Sequence, residues 1–86
     1  MVHSSPNLRR LVMFDAVIRS GSTGAAARLL GISKPAVSDA RSKLEAETGI
    51  RLLDRGSGGS TGTASGKLLH RRVARMLRQI EQAMGE

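Results

Sequence analysis

The chain has 86 residues, enough for one small domain with a thin core. Fourteen Lys and Arg oppose seven acidic residues, and the resulting charge of +7 and pI near 11.6 favour a polyanionic partner, nucleic acid ahead of an anionic membrane surface. The lack of cysteine excludes a disulfide framework or a thiolate metal site, and a lone aromatic residue, Phe14, argues against single-strand and RNA readers that stack bases on aromatic rings.

Residues 1–6 read as a disordered N-terminus. Beyond Pro6 and Asn7, the residues Leu8, Leu11, Phe14 and Ile18 recur at spacings of three and four, which predicts a helix, with Val12 and Val17 widening its apolar face. Gly21 ends that helix, and Ser22-Thr23 can cap the next. The second helix is short and Ala-rich (24–30) and is expected to bury Ala26, Ala27 and Leu30. Gly31 permits a tight turn that Ile32 is expected to plug. Ser33 is a good N-cap, and Pro35 in the first turn that follows loses no intrahelical bond. A third helix therefore opens here and continues through Ala36–Glu45, with Val37, Ala40 and Leu44 on one face and Gly49 as its stop. This is the layout of a helix-turn-helix. Its second helix carries small polar side chains and Lys34 near the N-terminus, where a helix can reach base edges in a DNA major groove.

Ile50 to Arg55 loses the helical period and reads as a brief strand. Residues 56–62, Gly-Ser-Gly-Gly-Ser-Thr-Gly, are expected to form a flexible hairpin tip with little strand character. They lack the Gly-Lys-Ser/Thr ending of a phosphate-cradling loop, so a wing is the better reading. Thr63 is an N-cap, and a long helix is predicted from Ala64 to about Met84. Its apolar positions Leu69, Val73, Met76, Ile80 and Ala83 step by four, three, four and three, a coiled-coil seam of about two heptads. So small a domain is not expected to cover that stripe alone, and a second copy is the simplest partner. The expected homodimer contacts are Leu69, Val73, Met76, Ile80 and Met84. The fold class is thus mostly α: a winged helix-turn-helix over 7–62 with a small β-hairpin wing, followed by a linker helix over 63–86.

In this order and at these spacings the chain resembles the N-terminal DNA-binding domain of LysR-type transcriptional regulators, over roughly Asn7 to Glu86. The resemblance rests on Leu8-x-x-Leu11-x-x-Phe14, Ser20-Gly21-Ser22, Ala26-Ala27-x-x-Leu30 and Ile32-Ser33-x-Pro35-Ala36-Val37-Ser38. It continues through Leu44-Glu45, Gly49-x-x-Leu52-x-x-Arg55 and Thr63-x-x-Gly66. It implies a dimer joined by antiparallel linker helices, an interrupted inverted repeat in duplex DNA as target, a bacterial cytoplasmic setting and a downstream small-molecule-binding domain. No effector domain follows Glu86 in this sequence, so no effector site is expected in the chain, which is either an excised fragment or a stand-alone domain. The resemblance puts Lys34, Pro35, Ser38 and Asp39 at the major-groove-facing positions, and Arg55 with the wing against the flanking backbone or minor groove. The expected DNA-contacting set is completed by Ser33, Ser42, Lys43, Arg9, Arg10, Ser22 and Thr23.

Several residues depart from the family pattern. Thr23 stands where an aromatic residue is usual, and Arg41 where an apolar one is, so Arg41 must snorkel to the surface or face DNA. Asp39 replaces a basic or amide residue; phosphates would repel it, but it could accept from a cytosine amine. The wing has Ser60-Thr61-Gly62 in place of apolar and basic residues, and its Gly-rich character also resembles the DNA-binding domain of molybdate-responsive regulators. For Arg9 and Arg10, phosphate contact and plain solvation stay equally open, because cations at a helix N-terminus gain nothing from the dipole. Arg71, Arg75 and Arg78 read as a solvated face ahead of phosphate contact. His3 and His70 have no ligand partners nearby in sequence, so no metal site is expected, and His70 reads as a surface residue. No catalytic group and no cofactor site stand out. No apolar run reaches membrane-spanning length, the N-terminus lacks signal-peptide order, and a membrane partner is not expected. A second class of function stays open: a protein-interaction module, or an antagonist that pairs with a regulator through the linker helix.

Overall fold

The computed structural model describes residues 6–56 and 59–85. The chain runs through α1 (Pro6–Ser20), α2 (Thr23–Leu30), α3 (Lys34–Thr48), β1 (Leu53–Gly56), β2 (Gly59–Gly62) and α4 (Ala64–Ala83). The expected disordered start falls almost wholly outside the described residues, and Pro6 already belongs to α1.

Three helix starts follow from local capping chemistry. Ser22 Oγ accepts from the Ala25 N–H at 3.0 Å, Ser33 Oγ from Ala36 at 3.2 Å, and Thr63 Oγ1 from Gly66 at 3.0 Å. Gly31 adopts a left-handed conformation (φ 68°), the geometry that turns α2 into α3 and that an L side chain rarely accepts.

The core lies where α1, α2 and α3 meet. Phe14, Ala16 and Val17 from α1 pack with Ala26 and Ala27 from α2, and with Val37 and Leu44 from α3. Leu52 and Leu53 close one side, and Leu11, Ile18, Leu30 and Leu69 pack against the cluster from its edge. Ile32 does not plug the turn as expected; it is 36% exposed, and its N–H is tied to the Ala27 carbonyl at 3.0 Å. α3 runs on to Thr48 and stops at Gly49 as expected, where the left-handed glycine (φ 69°) donates its N–H to the Glu45 carbonyl.

The Gly-rich segment has more strand character than its composition suggests. β1 and β2 pair antiparallel in the register Leu53↔Gly62, Asp54↔Thr61, Arg55↔Ser60 and Gly56↔Gly59. Pairing with β1 overrides the weak strand propensity of Gly and Ser. At Gly62 an added Cβ would lie 2.9 Å from Ile18 Cδ1, so the wing root is packed on α1.

A shared backbone junction locks α4 to the wing. Thr63 N donates to the Leu52 carbonyl at 3.0 Å, and Thr63 Oγ1 donates to the Arg51 carbonyl at 2.7 Å. Gly66 is buried against the same strand entry, and a Cβ there would overlap the Leu52 carbonyl oxygen. Only glycine allows so close an approach of helix and backbone.

Candidate nucleic-acid interface

Burial of Val37, Ala40 and Leu44 fixes the rotation of α3 about its axis. The opposite face is left to solvent. Ser33, Lys34, Pro35, Asp39, Ser42 and Lys43 are exposed there, and Ser38 is half-buried. Arg9, exposed on α1, joins Asp39 and Lys43 around an open groove of about 280 Å³ floored by Met13, Ala36 and Ala40. Asp39 is not an isolated negative charge, since Lys43 Nζ lies 3.1 Å from its Oδ2 one turn along the helix. Among the described residues, neither Arg9 nor Lys34 has a carboxylate partner.

Other expected contacts are already committed within the chain. Thr23 is buried, 9% exposed, and packs inside the domain at the position where an aromatic residue is usual. The hydroxyls of Ser22 and Ser33 are engaged as caps. Arg10 Nη1 lies 3.0 Å from Glu47 Oε1 and donates to Asn7 Oδ1 at 3.2 Å, which ties α1 to the end of α3. The backbone of Arg55 is in β1, but its side chain lies outside the described residues. Arg41 is half-buried and engaged within the chain. It pairs with Glu45 Oε1 at 3.1 Å, while Glu45 Oε2 accepts from the N–H groups of Leu52 (2.7 Å) and Leu53 (3.1 Å). One carboxylate therefore couples α3 to the root of the wing, which nothing at the sequence level indicated.

The α4 stripe divides into two parts. Val73 is 2% exposed and Leu69 packs on the core, so the chain itself covers the N-terminal half of the stripe, contrary to expectation. The remainder stays accessible, with Met76 at 37% and Met84 at 77% exposure. Beside it, an open groove of about 390 Å³ between α1 and α4 is lined by Val12, Arg19, Ala74, Leu77 and Ile80 among others. Arg71, Arg75 and Arg78 are exposed on α4.

His70 is not a surface residue. Its side chain is 17% exposed, and its Nε2 lies 2.7 Å from Oδ1 of Asp15, a residue that is itself buried. The available signal was Asp15, an acidic residue inside an apolar stretch of α1, which needs a partner once buried.

A three-helix core with its capped turn, an exposed third helix and a paired wing define the chain as a winged helix-turn-helix domain. The family model for bacterial regulatory helix-turn-helix proteins of the lysR family matches residues 8–67, and the chain belongs to that family. The family is one of transcriptional regulators, not of enzymes. The HTH-type transcriptional regulator TdcA of Escherichia coli K12 is 40% identical over 81 residues, which are 94% of this chain and 26% of that protein. The nitrogen assimilation regulatory protein nac of Klebsiella aerogenes is 43% identical over 77 residues, 90% of this chain and 25% of that protein. The chain thus spans about a quarter of the length of these curated relatives. Among solved structures, the DNA-binding domain of BenM in complex with catB site 1 DNA superposes with a TM-score of 0.86 at 35% identity, covering 91% of this chain and 87% of that one. The CbnR DNA-binding domain–DNA complex gives 0.83 at 32% identity, over 91% and 90% of the two chains. No helix among the described residues is long and apolar enough to cross a membrane.

Proposed function

We propose that the chain is the sequence-specific duplex-DNA-binding module of a bacterial LysR-type transcriptional regulator, acting in the cytoplasm as a homodimer on an interrupted inverted repeat. The observation that carries this reading is the exposed face of α3, with Lys34 at its N-terminal end, in a chain similar to two domains whose structures are DNA complexes. In this reading Lys34, Pro35, Ser38, Asp39 and Ser42 meet base edges. Ser33, Lys43, Arg9 and the wing with Arg55 meet the backbone. Ser22 contributes at most through the backbone of its cap, and Arg10 positions α1 against α3.

The dimer is carried by what α4 leaves uncovered. Met76, Ile80 and Met84 lie beyond the part of the stripe that packs on the core, beside the α1–α4 groove that a partner helix would fill. A pair of chains holding two reading helices matches a target with two half-sites. Selection of duplexes from a random library by the purified chain tests the reading. Enrichment of an inverted repeat supports it. Enrichment of no duplex, with the chain still pairing through α4, would favour the protein-interaction role instead.

A further inference from the structure

The contact that seats α4 on the winged helix-turn-helix has a polar joint that DNA reading alone does not require. Asp15 of α1 is 6% exposed, and both of its oxygens are engaged. His70 Nε2 lies 2.7 Å from Oδ1, and Arg19 Nε lies 2.9 Å from Oδ2. A carboxylate only accepts, so Nε2 carries the proton and donates. The Phe14 ring, part of the core, meets the imidazole edge-on, with centroids 6.1 Å apart at 74°, and so packs against one side of it. Thr63 and Gly66 pin the first turn of α4 to the strand entry, and Leu69 and Val73 pack beside the joint. Beyond that first turn, the hydrogen bond between His70 and the buried Asp15 is the directional polar restraint between α4 and α1 among the described residues.

The joint lies in the first half of α4, and Ala83 is thirteen positions farther on, a lever of about 20 Å. A pivot of about 10° at His70 would move the far end by about 3.5 Å, close to the roughly 3.4 Å rise of one base pair. We propose that the Asp15–His70 hydrogen bond, held by Arg19 and Phe14, sets the angle of α4 on the reading head and so the gap between half-sites that a pair of chains accepts. His70 is a positioning residue. This rests on the dimeric DNA-binding reading above.

The test measures binding of the chain to inverted repeats whose gap changes in single base-pair steps, alongside a duplex with one half-site. Wild type should prefer one gap about tenfold or more over its neighbours. His70→Leu should flatten that preference to about threefold or less, or move its optimum, with single half-site binding unchanged. His70→Gln can still donate to Asp15 and should restore the wild-type profile. A purely structural role would lower binding to every duplex alike. An unaltered gap preference in His70→Leu overturns the proposal. Should His70→Leu lose its helicity, His70→Asn, too short to reach Asp15, replaces it: an Asn profile identical to that of Gln overturns the proposal, and a shifted one supports it. A wild type that sediments as a monomer with no gap preference removes the dimeric reading and this proposal together. A dimeric wild type whose sharp preference survives His70→Leu removes this proposal alone.

Discussion

At Asp39 the pairing with Lys43 changes what a substitution would report. Removing the carboxylate also releases a lysine one turn away, so Asp39→Ala adds attraction for phosphate in two ways. If Asp39 only moderates charge, Asp39→Ala should tighten binding to all duplexes and steepen the salt dependence by about one contact. If it accepts from a cytosine amine, preference should relax at a single base pair instead. Lys34 has no carboxylate partner among the described residues, and Lys34→Ala should weaken binding by about 1–3 kcal/mol if it reads a base. Anisotropy titrations of both variants on a panel of single-base-changed duplexes separate these outcomes. Unchanged affinity and preference in both would mean that α3 is not the reading helix.

At the scale of elements, the helices were legible in the sequence wherever their determinants are local. Ser22, Ser33 and Thr63 cap as expected, and the apolar periods of α1 and α3 point at the core. What escaped notice depends on partners distant along the chain. Asp15 and His70 are fifty-five positions apart, and the Glu45 carboxylate reaches backbone groups seven and eight positions away. Strand β2 escaped for a related reason: its stability comes from register with β1, not from Gly59 to Gly62 themselves. The α4 seam showed its period but not its division, because the period of a stripe does not say which of its residues meet the chain's own core. The Glu45 bridge carries an energetic consequence. Hydrogen bonds to a charged group contribute about 1.5–3 kcal/mol, so Glu45→Gln should lower unfolding free energy by about that amount in urea titrations. An unchanged midpoint would show that the wing root is held without the Glu45 bridge, by Thr63, Gly66 and the packing of Gly62 on α1.

The division of the seam also decides which variant probes association. Val73 is core, so a charge there would unfold α4 from the domain whatever the oligomeric state. Met76 lies farther along the same stripe and is accessible, so Met76→Glu should keep the helices and lose the dimer. Burying a side chain of this size is worth about 1.5–3 kcal/mol, and it counts twice across a two-fold axis. Sedimentation of wild type and Met76→Glu at matched concentration, with circular dichroism of both, checks this. A Met76→Glu chain that stays dimeric would move the interface away from the distal part of α4.

For the whole molecule, charge and shape point to one partner. Arg10, Arg19, Arg41, Lys43 and Arg51 are held in ion pairs within the chain, while Arg9, Lys34, Lys67, Arg71, Arg72, Arg75 and Arg78 have no carboxylate partner among the described residues. Arg28, exposed on α2, is likewise without a carboxylate partner among the described residues; the other free cations lie on the α1–α3 side and along α4, where a duplex and a partner chain would add counter-charge and contact. The salt dependence of duplex binding tests this most directly, because counterion release scales with the number of phosphates neutralised. With six or more phosphate contacts per dimer, affinity for a selected duplex should fall about a thousandfold or more between 50 and 200 mM salt. Affinity that does not change with salt, or no binding to any duplex at low salt, would contradict the assignment of the exposed α3 face as a DNA-reading surface.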